Sequence, residues 1–393
     1  MSGVEGVEGV EGVEGVEGVE GVEGVEGVEG VGARAARMPV SALISQRDGI
    51  AGPWNSVRTA WNSAGLSGNP PGPLDRWGVR IRRFLFESEL LSSLYFATNG
   101  GTPPGQATLW SLNLAGAATG AAAPAGAWHQ FVSMTPPQSN KLDGTVGLPN
   151  QLSLVAGYAD LRTDRAREII AQMSPQYAFW GSVVPLDPAR HKFTLELLGM
   201  VLRLAKYAEM SFKNAMAVRR ANEYSPQIQP MIPTPSHASL PSGHSTEAHA
   251  VARVLFELVK AAGAPLAATQ QLHSQLMAQA ARIAINRTVA GLHYPVDSMA
   301  GQFLGLSLGE YFIARARPIP PGGPVANVGA WVFDGTQYPG SLDFTGTEIL
   351  NWLTGARATT GYHFPALAPA NPNFPVNPAP GLNWLWRMAA AEW

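Results

Sequence analysis

The sequence predicts a mainly α protein, a helical bundle connected by long Pro/Gly-rich loops. Apolar residues recur with helical spacing over residues 161–173, 192–221, 244–262, 270–289 and 297–314. Few stretches alternate with the period of two that marks a half-buried strand. The 32 prolines and 43 glycines of the 393 residues supply long connections. Examples are 99–106, 115–127 and the segment 224–241, where Pro226, Pro230, Pro233, Pro235 and Pro241 cannot continue a helix.

Taken in order, the chain divides into four regions. Residues 3–32 repeat Gly-Val-Glu with a period of three, which matches neither helix nor strand, so no apolar face accumulates and 1–32 reads as a solvated, flexible leader. Residues 33–159 are Gly/Pro/Ser-rich, with a helical stretch over 77–97, and are expected to pack on the bundle. Residues 160–317 hold the strong helices, and 318–393 form a Pro-rich tail with Trp331, Trp352, Trp384, Trp386 and Trp393. So many aromatics predict a tail packed on the body, or on another copy in a homo-oligomer.

Composition excludes several classes. With no cysteine there are no disulfides, thiolate metal sites or thiol catalysis. Nine of the 29 acidic residues lie in the leader; without them 27 basic residues face 20 acidic ones, a net of +7, suited to an anionic ligand but too weak for nucleic acid. The apolar runs 195–210 and 298–314 are interrupted by Glu196, Arg203, Lys206 and Glu209, and by Gln302 and Glu310, so they read as core helices rather than membrane spans. No signal peptide is visible, so the expectation is a soluble protein, with the cytoplasm favoured and no membrane partner.

Three segments carry chemistry. Lys213 and Arg220 are seven residues apart in a predicted helix and would leave one face, either as a solvated basic surface or as part of a site. Pro241-Ser242-Gly243-His244-Ser245-Thr246-Glu247 opens the next helix. There Ser242 or Ser245 can cap, Gly243 permits close approach, and the first-turn N–H groups suit an anion. In the third segment, 286–297, Arg287 ends a helix, Gly291 breaks it, and His293 precedes Asp297. Asp297 can act as N-cap or accept from the imidazole Nδ1–H and leave Nε2 available. Together they offer three cations, a helix N-terminus, a hydroxyl and two histidines, an inventory suited to a tetrahedral oxyanion.

This ordered set closely resembles the signature of the vanadium haloperoxidase and type 2 phosphatidic acid phosphatase (PAP2) superfamily. The resemblance implies a helical bundle of that type. It further implies that Lys213, Arg220, Ser242, Gly243 and Arg287 hold vanadate or phosphate. His293 would be the nucleophile or axial vanadium ligand, oriented by Asp297, with His244 as general acid/base and Lys213 polarising bound peroxide. His237, seven residues before His244, resembles a halide-pocket histidine of algal-type bromoperoxidases.

The function expected on this basis is a vanadium-dependent haloperoxidase, using hydrogen peroxide, bromide or iodide and a small organic acceptor. The alternatives are a soluble acid phosphatase working through a phosphohistidine, and a non-catalytic anion-binding or assembly protein. Three positions depart from the usual pattern. Arg220 is followed by Ala221 rather than Pro, Asn286 stands where Ser is usual, and Met210 replaces a pocket aromatic. His249 is expected to be a helix-face residue outside the site.

Overall fold

The computed structural model describes residues 74–98, 105–114, 126–139, 142, 150–173, 176–263, 270–319, 323–346, 350–351, 356–357 and 373–393. The leader, the rest of 1–73, Trp352 and most of the loops at 99–106 and 115–127 lie outside these residues.

Helices dominate. The main ones are α1 (Val79–Leu91), α2 (Gln151–Gly157), α3 (Arg162–Ala171), α4 (Tyr177–Gly181), α5 (Lys192–Met216), α6 (Ala221–Tyr224), α7 (Gly243–Ala261), α8 (Gln270–Val289), α9 (Pro295–Ala316) and α10 (Pro380–Ala390). α7 is the central helix, packed against α9, α8 and α5, and nearly all of its side chains are buried. Gly301, Gly305 and Gly309 recur every four residues along α9, facing α7. A methyl group on Gly305 would lie 2.2 Å from the Thr246 carbonyl oxygen, so only glycine lets the two backbones approach this closely.

A mixed sheet accompanies the helices. Strands β1 (Leu94–Thr98), β2 (Ala107–Leu114) and β3 (Gly126–Thr135) form an antiparallel meander, and β5 (Trp331–Asp334) adds in parallel beside β3 after the short β4 (Asn327–Gly329). The predicted helix at 77–97 therefore stops at Leu91. The alternation was hidden because the polarity is partly inverted. Thr108, Ser111 and Ser133 are buried, with Thr108 Oγ1 and Ser133 Oγ 3.2 Å apart, whereas Tyr95 and Trp128 stand outside.

The end of the chain is tied to the bundle rather than irregular. β6 (Asn373–Pro375) pairs with β4, and α10 packs on α5, burying Trp386. The Glu392 carboxylate accepts from the Phe193 and Thr194 N–H groups at 2.8 and 2.7 Å, satisfying the first turn of α5. The Trp393 indole stacks on His191 with centroids 4.5 Å apart and donates to Thr194 Oγ1. Among the described residues, no helix is long and apolar enough to cross a membrane.

Candidate functional site

The three chemical segments meet at the N-terminal end of α7. The predicted helix 192–221 ends at Met216, because Ala217 turns left-handed with φ 48°. Arg220 therefore caps α6 instead of riding on α5, and the two-turn spacing argument fails for it. The cations converge nonetheless, because the loop after α6 folds back over the site. Lys213 Nζ donates to the carbonyls of Ala238 and Ser239 at 3.2 and 3.1 Å. Arg220 donates from Nε to His237 O and from Nη1 to Leu292 O, both at 3.0 Å. Lys213, Arg220 and Arg287 are each 1% exposed, a costly arrangement unless they face an anion.

Ser242 is the N-cap of α7, and its Oγ accepts from Ser245 N, while its own N–H donates to Asp297 O at 2.9 Å. That backbone bond joins the second segment to the third. The third segment is held from the other side by Arg162, whose guanidinium donates to Val289, Gln229 and Ile228 carbonyls. Gly291 adopts φ +80° with Arg162 Nη2 against its Cα, so a side chain there would meet both strain and the guanidinium.

His293 follows this turn. Its Nδ1 lies 3.0 Å from Asp297 Oδ2, which also accepts from Ser239 Oγ at 2.5 Å and from the Tyr294 N–H at 3.0 Å. Asp297 thus sits at the third position of α9, not at its N-cap, which is Tyr294. Since Asp297 takes the Nδ1 proton, the Nε2 lone pair of His293 is the one left for chemistry. Burial, with the charges of Arg220, Lys213 and His244, holds the imidazole well below its usual pKa, so it is neutral. Burial raises Asp297 to about 6, against the pull of Ser239, Tyr294, Lys213 and Arg220. Burial lowers Lys213 to about 8 despite Glu209.

His244 stands at the partly exposed mouth. Its Nε2 donates to the Gln172 carbonyl at 3.0 Å, which leaves Nδ1 as the acceptor. Desolvation and then Arg287 depress its pKa to about 3. Lys213 and Lys206 add to this depression. His237 also joins the cluster, with Nδ1 3.1 Å from Arg220 Nη2. His249, as expected, lies elsewhere on α7, its ring nitrogens against Ser245 O and Gln302.

Three participants escaped the sequence reading. The Gln172 side chain accepts from Arg287 Nη2 at 2.9 Å and from Asn286 Nδ2 at 3.0 Å, and donates to Glu168 at 3.2 Å. Asn286, in place of the usual Ser, thereby supports the arginine. Ser239 anchors Asp297, and Glu209 packs against Gly243. Gln172 carried no sequence signal, whereas Glu209 lies one helical turn from Lys213 and was legible as its neighbour.

This chemistry fits a tetrahedral oxyanion. The donors are cations, a helix N-terminus and one imidazole lone pair, and Arg287 Nε and Nη1 are buried without a protein partner. The family model described as "PAP2 superfamily" matches residues 196–317, the stretch that contains every one of these motif residues. That segment belongs to the PAP2 superfamily.

No curated protein matches the chain. Among solved structures, the first transmembrane PAP2 type phosphatidylglycerolphosphate phosphatase from Bacillus subtilis is 18% identical. The match covers 40% of this chain and 80% of that one, with a TM-score of 0.33, too low to support a fold argument. The PAP2 assignment of 196–317 favours the phosphatase expectation over the haloperoxidase one.

Proposed function

We propose that the chain is a hydrolase of phosphate monoesters that works through a covalent phosphohistidine on His293. The observation that carries this reading is the Asp297–His293 pair, a neutral buried imidazole with its Nδ1 proton fixed and the buried cations Lys213 and Arg220 acting on it. Lys213, Arg220 and Arg287, with the N–H groups at Gly243, neutralise the phosphoryl oxygens as charge develops on them. His293 Nε2 forms a bond to phosphorus while the ester P–O bond breaks, and Asp297 stabilises the imidazolium-like ring. His244 is neutral in the free protein and takes up a proton once an anionic substrate stands beside it, then passes that proton to the leaving oxygen. In the second step His244 Nδ1 accepts a proton from water, whose oxygen attacks phosphorus and expels His293 Nε2, giving inorganic phosphate.

A haloperoxidase with the same residues is the second reading, favoured by His237 on the Arg220 edge of the cluster. The donor set fits vanadate as it fits phosphate. Vanadate, when bound, supplies a Lewis-acidic centre for peroxide-driven halide oxidation. Lys213, Arg220, Ser242, Gly243 and Arg287 would hold it, with the imidazole of His293 as the protein ligand available to it. The expected helical bundle of this superfamily, beyond the mainly helical fold described above, belongs to the same proposal.

One sample separates the readings. With a vanadate titration, the phosphatase reading expects vanadate to inhibit hydrolysis of a phosphate monoester and no bromination of a diketone in bromide and peroxide. Vanadate-dependent bromination without hydrolysis supports the haloperoxidase, and neither activity supports a binding protein.

A further inference from the structure

A carboxylate stands where the site needs an anion. Glu209, 1% exposed, projects from α5 onto the N-terminus of α7. A methyl group built on Gly243 would lie 2.9 Å from each of its carboxylate oxygens, so Gly243 is the residue that leaves room for them. Lys206 Nζ is 3.5 Å from Glu209 Oε1, and Glu209 raises the pKa of Lys213 one turn further along. Glu209 is therefore seated between two lysines and the first turn of a helix, the surroundings that a phosphoryl group would require. A separate observation points to an anion at this end of α7: Arg287, also 1% exposed, keeps two guanidinium nitrogens without a protein partner and its charge acts on His244, the residue after Gly243.

We infer that Glu209 is an internal competitor for the oxyanion, seated on part of its binding ground beside Gly243, and must be displaced before phosphate or vanadate is fully bound. This rests on the oxyanion reading of the site and adds a specificity-setting residue to it. An incoming dianion next to a retained carboxylate would meet like charge in a desolvated pocket, which is strongly unfavourable. Displacement solves this: the carboxylate swings outward together with its partly exposed partner Lys206, and the anion inherits Lys213 and the α7 N–H groups. The site thereby holds its lysines ordered when empty and admits only ligands that repay the exchange. Weakly charged or badly shaped anions, such as chloride, do not.

The test is the dissociation constant of inorganic phosphate, and separately of orthovanadate, measured by equilibrium dialysis at pH 7 on the full chain. Wild type is compared with Glu209→Gln, which keeps the shape and removes the charge, and Glu209→Asp, which keeps the charge and shortens the reach. Both variants are expected to bind more tightly, Glu209→Gln by at least tenfold. A Glu209→Gln affinity equal to or weaker than wild type would mean that the residue only holds the lysines, and would overturn the inference. Tightening in Glu209→Gln with Glu209→Asp unchanged would reduce the effect to a distant charge and overturn displacement. Absence of phosphate and vanadate binding in all three proteins would instead bring down the oxyanion reading, and this inference with it.

Discussion

At the scale of single residues, the site divides binding from proton transfer. His293→Ala removes the atom that bonds phosphorus and is expected to abolish turnover. His244→Ala should lower kcat by about 10²–10⁴-fold with phosphate affinity largely kept, because the cations that grip the anion are other residues. Asp297 and Lys213 set the pH limits. Asp297 must be ionised to hold the His293 proton, so kcat/KM should rise as pH increases through about 6. Lys213 must keep its proton, so kcat/KM should fall as pH increases through about 8. Asp297→Asn should erase the lower limb, and a profile flat between pH 5 and 7 in wild type would contradict this assignment. His244, His293 and Asp297 were all legible in the sequence, because their chemistry depends on residue type and short spacing. The Arg220 geometry was not, because Ala217 leaves the helix at a position where nothing in the local sequence forbids its continuation.

At the scale of elements, the turn after α3 and the α7–α9 contact position those residues. Gln172→Ala deletes the side-chain acceptor of Arg287 and Asn286 but leaves the backbone carbonyl that holds His244. The expected result is a KM raised about tenfold with kcat changed far less; an equal loss in kcat would place Gln172 in the chemical step. Gly305→Ala forces a methyl into Thr246 O and should destabilise the protein by about 1–3 kcal/mol, read as a lower urea midpoint at unchanged m-value. Helix positions were well legible: 270–289 was predicted and Gln270–Val289 is observed, since long periodic runs leave little ambiguity. The sheet was not, since Thr108 and Ser133 pair inside it while Tyr95 and Trp128 face out, blurring the pattern by which strands are recognised.

At the scale of the whole molecule, burial makes the folded state sensitive to acid. His244, His249 and His293 are all held below their usual pKa by desolvation, while in the unfolded chain they protonate near 6.5. The unfolded state therefore binds more protons below that pH, and stability present above 6.5 is lost as pH falls. The loss is about 1.4 kcal/mol per pH unit for each histidine kept neutral. Asp297 and Glu89, raised in the fold, act in the opposite sense above their ordinary values, but His273 is lowered as well, so four histidines stand against two carboxyls. The melting temperature should thus drop from pH 7 to pH 5, and His249→Gln, outside the site, should reduce that drop. The tail belongs to this scale too: its aromatics signalled burial in the sequence, and α10 with Glu392 shows where. Which strand it would join was not legible, because β3 and β5 are separated by some two hundred residues of chain.

The most direct measurement is a chemical quench of the full chain turning over a phosphate monoester, followed by assay for alkali-stable, acid-labile phosphate on the protein. The account predicts at most one such group per chain, absent in His293→Ala. Hydrolysis that proceeds without any phosphorylated protein, or with the label on a residue other than His293, would contradict it.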